Sequence, residues 1–96
     1  MPTGGGPGKT LPMPAAGAPP IPDRTIDTSG TLCPFPIVET AKAIRMLGPG
    51  GVLCVIATDP GIAQDMPMWC RATRNEHLGT FREGRTWKSY VRRRRD

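Results

Sequence analysis

Downstream of Asp23, segments with the apolar pattern of a strand alternate with segments whose apolar residues recur at helical spacing. Polar and apolar residues alternate at 24–27 and are followed by turn residues at 28–30, which predicts a short first strand. The unbroken apolar run at 52–57 predicts a second strand, central in its sheet because it is apolar on both faces.

Two helices are predicted from the remaining apolar spacing. Residues 37–47 form the first, and the Gly-rich segment 48–51 ends it. The second follows Asp59 as N-cap and Pro60 at the first helical position, and Pro67 is expected to kink it or shift its register. The expected buried stripes are Ile37, Val38, Ala41, Ile44 and Leu47 on the first helix, and Ile62, Met66, Trp69, Cys70 and Thr73 on the second.

The last two strands are predicted at 78–82 and 87–91, joined by a hairpin turn at Glu83-Gly84-Arg85. The element order is therefore strand, helix, strand, helix, strand, strand (βαβαββ). Two helices on one face of a mixed four-stranded sheet make a two-layer α/β sandwich. A chain of 96 residues holds only one small domain, which excludes a large barrel or a doubly wound dinucleotide-binding fold.

The first 22 residues differ from the rest in composition. They hold five of the 12 Gly and seven of the 12 Pro, with few bulky apolar side chains. Such a segment buries too little apolar area to offset the entropy lost on ordering, so residues 1–22 are predicted to be a disordered leader. Its GGGPGKT run is not a phosphate-binding loop, because Thr3 stands where the pattern needs Gly and no strand precedes it.

The net charge of +5 is concentrated near the C-terminus, and residues 23–91 are nearly neutral. The basic residues responsible are Arg92, Arg93, Arg94 and Arg95. We therefore predict a domain at 23–92 followed by a basic tail at 93–96. Three interpretations of these arginines stay open: a solvated chain end, a weak contact with RNA, or a site that steers an acidic partner protein.

Neither membrane insertion nor export is predicted. No apolar run approaches the ~20 residues of a membrane-spanning helix, and the N-terminus shows no secretory signal. We therefore expect a cytoplasmic protein, in which an odd number of cysteines, three, argues against a disulfide framework. The cysteines and the single His77 lack the spacing of a zinc site, so neither a metal nor another cofactor is expected.

The segment Cys33-Pro34-Phe35-Pro36 lies between a turn and a helix. A thiol at the start of a helix meets the positive end of the helix dipole, which favours the thiolate. If Pro34 is the first helical residue, the free N–H donors left to face the sulfur are those of Phe35 and Ile37, because proline has none. The arrangement suits an exposed, anionic sulfur, although a half-buried cysteine without chemistry is the alternative.

The other two cysteines are assigned to packing. Cys54 lies within the apolar strand and is expected in the core. Cys70, on the second helix, is expected to pack against the sheet. The alternative interpretation is that it forms a redox pair with Cys33.

Four segments in this order resemble the TusA/SirA-like family of sulfur carrier proteins, over about residues 24–92. They are DTSGTLCPFP (27–36), LGPG (47–50), ATDPG (57–61) and DMPMWCR (65–71). The resemblance implies the βαβαββ sandwich and a persulfide on Cys33. The chain departs from the family where Arg74-Asn75 replaces the usual Gly-His, so Asn75 is expected to take the left-handed conformation. His77 also stands where an apolar residue is expected.

The resemblance implies a sulfurtransferase that acts as a carrier. Cys33 would receive sulfane sulfur from a cysteine desulfurase or rhodanese-like donor and pass it to an acceptor protein. Family acceptors serve tRNA thiolation, cofactor sulfuration or sulfur oxidation. Two other classes stay open: a non-catalytic regulatory or RNA-binding module that uses the arginines, and a thiol-disulfide protein that uses Cys33 and Cys70.

Overall fold

The computed structural model describes residues 19–95, and most of the predicted leader, with its GGGPGKT run, lies outside them. Four strands and two helices follow in the predicted order. They are β1 (Arg24–Asp27), α1 (Phe35–Ile44), β2 (Val52–Ala57), α2 (Ile62–Thr73), β3 (Glu76–Glu83) and β4 (Thr86–Arg92). The hairpin strands are longer than predicted, because pairing extends to both of their ends.

The four strands form one mixed sheet in the order β1-β2-β4-β3. Strands β1 and β2 are parallel, and the other two pairs are antiparallel. Leu53 of β2 lies opposite Val91 of β4, and both side chains are fully buried. The apolar run of β2 thus occupies a central position, as predicted, and the two-layer sandwich is confirmed.

Helix α1 packs on the core with only part of the predicted stripe, since Ile44 is buried and Ile37 and Leu47 pack against the core cluster. Its buried residues are Pro36, Thr40, Ala43 and Ile44, whereas Val38 is 45% exposed. The helix starts two residues earlier than predicted, so its inner face includes the polar Thr40. The Thr40 hydroxyl donates to the Pro36 carbonyl at 2.8 Å, which satisfies it in the core.

Helix α2 buries Ile62, Met66 and Cys70 in one stripe, as predicted. Pro67 lies inside it without ending it. The N-cap is Gly61, so Pro60 is not the first helical residue, and no side chain caps the helix.

At the C-terminal end of α2 the left-handed residue is Arg74 (φ 64°), not Asn75 as expected. The N–H of Asn75 donates to the Cys70 carbonyl at 3.0 Å, and that of Arg74 to Arg71 at 3.4 Å. This pair of bonds is the Schellman motif, in which the residue directly after the helix takes the left-handed conformation.

The two faces of the sheet bury separate clusters. The helix-covered face holds the main core, which includes Leu53, Val55, Ile62, Met66 and Val91. The opposite face holds a smaller cluster around Cys54 and Tyr90, and no helix within residues 19–95 covers it. Neither helix in that described part is long and apolar enough to cross a membrane.

The side chain of His77 in β3 takes part in a polar contact. Its Nε2 lies 2.8 Å from the Thr80 hydroxyl, which lies 2.9 Å from the Ser89 hydroxyl. Partial burial lowers the pKa of His77. A short polar chain therefore replaces the apolar contact that we expected here.

The arginines after β4 are attached to the domain. The backbone of Arg93 pairs with Gly50 and Gly51, through hydrogen bonds of 3.0 and 2.8 Å. The N–H of Arg94 donates to the Asn75 side-chain oxygen at 2.9 Å. The interpretation of these residues as a frayed chain end is therefore wrong for Arg93 and Arg94.

Candidate functional site

The loops that precede the two helices meet at one edge of the sheet. Cys33 lies between β1 and α1, and the segment 58–61 lies between β2 and α2. Because β1 and β2 are parallel neighbours, their carboxyl ends lie side by side. The N–H of Gly30 donates to the Thr58 hydroxyl at 2.9 Å, which joins the two loops.

Asp59 holds Cys33 in place through its backbone. One carboxylate oxygen accepts the Cys33 N–H at 2.7 Å, and the other accepts the Gly61 N–H at 3.1 Å. The hydrogen bond from the Cys33 N–H, followed by that from Gly61, lowers the pKa of Asp59. The prediction that Asp59 caps α2 is therefore wrong. Asp59 instead connects the start of that helix to the cysteine loop.

Gly61 of the second loop lies close to the sulfur of Cys33. A Cβ atom added there would lie 3.4 Å from the Cys33 Sγ and 3.5 Å from both Asp59 carboxylate oxygens. These are van der Waals contacts, so a methyl group would fit but would cover one side of the sulfur.

The thiol of Cys33 is held in its protonated form. Burial raises its pKa to about 12, with further contributions from a hydrogen bond to Asp65 and from the charges of Asp59 and Asp65. The predicted stabilisation of a thiolate is therefore wrong for the protein without a partner. Desolvation and the two carboxylates all favour the protonated thiol.

The backbone donors expected to face the sulfur are already used. The N–H of Phe35 donates to the Leu32 carbonyl at 2.8 Å, and that of Ile37 to the Pro34 carbonyl at 3.0 Å. Helix α1 begins at Phe35, with Pro34 before it as N-cap. The helix start thus closes on itself as a turn and directs neither N–H at Cys33.

Three apolar side chains close to Cys33 in sequence are exposed to solvent. Leu32 is 75% exposed, Phe35 46% and Val38 45%. Pro36, in contrast, is buried and fastens the start of α1 to the core. We call Leu32, Phe35 and Val38 the apolar rim.

The structure does not bring the three cysteines together. All are free thiols, and Cys54 and Cys70 are buried whereas Cys33 is partly exposed. Cys70 comes nine residues after Gly61, about 13 Å along α2 at 1.5 Å per residue. A disulfide needs Cα atoms within about 7 Å, so Cys33 and Cys70 cannot pair without rearrangement. Burial raises the pKa of Cys70 to about 12 as well.

Asp65 is a site residue that the sequence reasoning passed over. It was quoted within a family motif, without a role, and Asp59 was assigned only to helix capping. The signal that identifies both is topological, because they follow the strand that neighbours β1 in parallel. Among residues 19–95, no group of three or more His, Cys, Asp or Glu side chains is arranged to hold a metal ion.

The fold and sequence match known proteins. A sequence model of the family described as "Sulfurtransferase TusA" matches residues 24–93. The chain is 41% identical over 76 residues to "Sulfur carrier protein TusA" of Pseudomonas entomophila, covering 79% of this chain and 95% of that protein. It is 40% identical over 68 residues to "Putative sulfur carrier protein YrkF" of Bacillus subtilis, covering 71% of this chain but 37% of that longer protein.

A solved structure supports the same fold. The SirA-like protein from Desulfitobacterium hafniense superposes with a TM-score of 0.64 at 22% identity, covering 72% of this chain and 95% of that one. At this identity the likeness concerns the fold alone. Because the family match spans the whole two-layer sandwich and the Pseudomonas relative matches over nearly its full length, the chain belongs to the sulfurtransferase TusA family.

Proposed function

We propose that the chain is a sulfur carrier that receives sulfane sulfur as a persulfide on Cys33 and passes it to an acceptor protein. The observation that carries this proposal is that Cys33 alone among the three cysteines reaches the surface, in a loop that Asp59 holds in place. The names of the relatives, sulfur carrier proteins, agree with it. We place this activity in the cytoplasm.

The transfer requires no cofactor. The Cys33 sulfur attacks the terminal sulfur of the donor persulfide, the donor S–S bond breaks, and a new S–S bond forms on Cys33. The donor cysteine leaves as a thiolate and takes up the proton that Cys33 releases. The acceptor thiolate then attacks the terminal sulfur of the Cys33 persulfide, whose S–S bond breaks. Cys33 leaves as a thiolate and takes up the proton that the acceptor thiol released, so the two steps balance without an oxidant.

The carboxylates beside Cys33 affect the reactivity of the thiol, because they favour its protonated form. With a pKa of about 12, Cys33 is protonated at neutral pH and is a weak nucleophile. The negative charges of Asp59 and Asp65 both favour this protonated form. This arrangement favours transfer within a complex, where a partner covers the site, over reaction with dissolved electrophiles.

The apolar rim supports docking of a protein donor. Leu32 and Phe35 lie on either side of the Cys33-Pro34 segment and expose much of their apolar surface. Burying such side chains is a principal source of affinity in protein interfaces. We propose a cysteine desulfurase or a rhodanese-like protein as donor, and an acceptor protein that serves tRNA thiolation, cofactor sulfuration or sulfur oxidation.

Intact-protein mass spectrometry tests the proposal. The protein is incubated with a cysteine desulfurase, pyridoxal phosphate and cysteine, and we expect an adduct of one sulfur atom that dithiothreitol removes. Cys33→Ala should lose the adduct, and the matched variants Cys54→Ala and Cys70→Ala should keep it. Absence of an adduct on the wild type, under conditions that load a known TusA protein, would overturn the proposal.

The same experiment distinguishes the thiol-disulfide alternative. A reversible loss of two mass units that requires both Cys33 and Cys70 would favour that alternative over the carrier. Cys33 lies beside the start of α2 and Cys70 lies near its end, and this distance argues against a disulfide between them.

A further inference from the structure

A second concave site lies at the end of the domain away from Cys33. Both helices start near Cys33, so their C-terminal ends lie together at the opposite edge. A cavity of about 400 Å³ opens there between the helices and the residues that follow β4. Its volume is within the range of about 300–1,000 Å³ for small-molecule sites. The polar and aromatic residues that line it are Arg45, Trp69, Thr73, Asn75, Arg93 and Arg94.

Two of the three arginines in this cavity are anchored by the ends of the helices. The Arg93 guanidinium donates to the Leu47 carbonyl, just after α1, and that of Arg94 to the Thr73 carbonyl, at the end of α2, at 3.5 Å. A guanidinium has five N–H donors. Each bond uses one of them, so most donors stay available while the side chains are held in position.

Among residues 19–95, no carboxylate forms an ion pair with these arginines. The ion pairs within residues 19–95 are Lys42–Glu39, Lys88–Glu83 and Arg92–Glu76, and none of them involves a residue of the cavity. Arg92 belongs to the other face of the sheet, because it precedes Arg93 in an extended strand and the directions of side chains alternate there. The run of arginines is therefore divided between the two faces of the sheet. Arg93 and Arg94 line the cationic cavity together with Arg45, and Arg92 does not.

We propose that this cavity, the arginine pocket, binds a nucleotide. The phosphate is held by the guanidiniums of Arg45, Arg93 and Arg94, which bind phosphate oxygens with paired, charge-assisted hydrogen bonds. The base packs against the half-buried indole of Trp69, which supplies the aromatic part of the lining. An acidic peptide would satisfy the arginines but gives Trp69 no role.

The arginine pocket and Cys33 are separate sites. Helix α1 alone spans 10 residues, about 15 Å, between the two ends of the domain. A bound nucleotide leaves the apolar rim uncovered, so binding and sulfur loading are independent measurements. The proposal stands even if Cys33 carries no sulfur.

Two sources supply the same chemistry, a free nucleotide or a nucleotide within single-stranded RNA. Binding of AMP is measured by isothermal titration calorimetry, and binding of a fluorescein-labelled oligo(A) decamer by fluorescence anisotropy. AMP is also titrated against the bound decamer. Stronger binding of the decamer identifies RNA as the ligand, and equal or stronger binding of AMP identifies the free nucleotide.

The matched variants are pairs that remove equal charge. We expect Arg45→Gln with Arg94→Gln to weaken nucleotide binding at least tenfold, and Arg71→Gln with Arg85→Gln, outside the arginine pocket, to change it less than twofold. Arg93 is left intact because its guanidinium donates to the Leu47 carbonyl, and losing this part-buried bond would disturb the fold. Circular dichroism and thermal unfolding establish that each variant is folded.

The base contact is tested at Trp69. Trp69→Phe keeps an aromatic surface and should bind within about threefold of wild type, whereas Trp69→Leu should lose affinity by about tenfold or more, in line with stacking energies of about 1–3 kcal/mol per base. Failure of AMP and of the decamer to bind would overturn the proposal, as would equal losses in both pairs of arginine variants. Competition by inorganic phosphate or by poly-glutamate as strong as that by AMP would also overturn it.

Discussion

Cys33 shows how a side chain's chemistry depends on residues that come from another part of the chain. The helix dipole and the proline-rich start of α1 were visible in the sequence and favoured a thiolate. The carboxylates of Asp59 and Asp65 come from the following βα unit, and together with burial they raise the pKa to about 12. The residues next to Cys33 in sequence do not reveal this contribution, because it arises only when β1 pairs with β2.

The role of Asp65 leads to a prediction about pH. The alkylation rate of Cys33 by iodoacetamide should rise about tenfold per pH unit between pH 7 and 10, without a plateau, because the thiolate fraction is still growing below a pKa of about 12. Asp65→Asn removes a charge that favours the protonated form, so its rate should be higher at every pH in this range.

Glu39→Gln is the control for this measurement, since Glu39 lies on α1 and pairs with Lys42. It should leave the rate unchanged. Cys54→Ala and Cys70→Ala in the background remove signals from the buried thiols. Equal rates for wild type and Asp65→Asn would contradict the assigned role of Asp65.

Gly61 allows a test of access to the sulfur. Gly61→Ala should slow persulfide loading by at least severalfold, because the methyl group would lie 3.4 Å from Sγ, while the helix itself is maintained. Gly48→Ala is the matched control, since a Cβ at Gly48 has no neighbour within 4 Å. Loading is followed by mass against time, and unfolding by circular dichroism. A loading rate that stays at the wild-type value in Gly61→Ala would show that this side of the sulfur is not used.

The two helices differ in how well they were predicted. In α2 the buried stripe agrees with the sequence because Ile62, Met66 and Cys70 are apolar and evenly spaced. In α1 the start of the helix was misplaced, since Phe35-Pro36 was assigned to the site rather than to the helix. A buried threonine also cannot be recognised by hydropathy when its hydroxyl is satisfied by its own helix.

The corrected stripe of α1 has a measurable consequence. Ile44→Ala should lower the free energy of unfolding by about 2–5 kcal/mol, because it leaves a cavity in the core. Val38→Ala should change it by less than about 1 kcal/mol, because the side chain is 45% exposed. Urea titration followed by circular dichroism measures both. Similar losses in the two variants would support the stripe first predicted.

The residues after β4 belong to the domain rather than to a free tail. The backbone of Arg93 extends the pairing beyond β4, and the guanidiniums of Arg93 and Arg94 bond to carbonyls near the helix ends. Deleting 93–96 should therefore destabilise the protein by about 1–2 kcal/mol, through lost backbone bonds and lost cations at helix C-termini. Deleting 95–96 keeps these contacts and is the control in thermal unfolding. Identical midpoints for the two truncations would show that Arg93 and Arg94 add no stability.

For the molecule as a whole, element order and sheet type were predicted because each rests on local spacing and on the rules of strand connection. The apolar run of β2 required a central place, and the two helical segments required one shared face. The linked loops at Cys33 and the arginine pocket were not predicted. Both bring together residues from distant segments, such as Thr73 and Arg94, whose proximity no local pattern encodes.

The link between the two loops also shapes the acid stability of the protein. Asp59 has a lowered pKa in the folded state, so its stabilising contribution is complete at neutral pH and is lost as the pH falls through that lowered pKa. Asp59→Asn should therefore show a smaller loss of stability between neutral and acidic pH than wild type, and lower stability at pH 7. Urea midpoints from pH 3 to 7 measure this. An unchanged pH dependence in Asp59→Asn would contradict it.

The sheet has two outer strands, and both discourage another chain from adding to it. Strand β1 has only four residues, and β3 is interrupted by a bulge between His77 and Gly79. Gly79 at φ 142° is required there, because a Cβ would lie 2.9 Å from the Phe81 ring. Short and bulged edges are poor templates for intermolecular β-pairing. Neither edge of this sheet is therefore suited to binding a partner by strand addition.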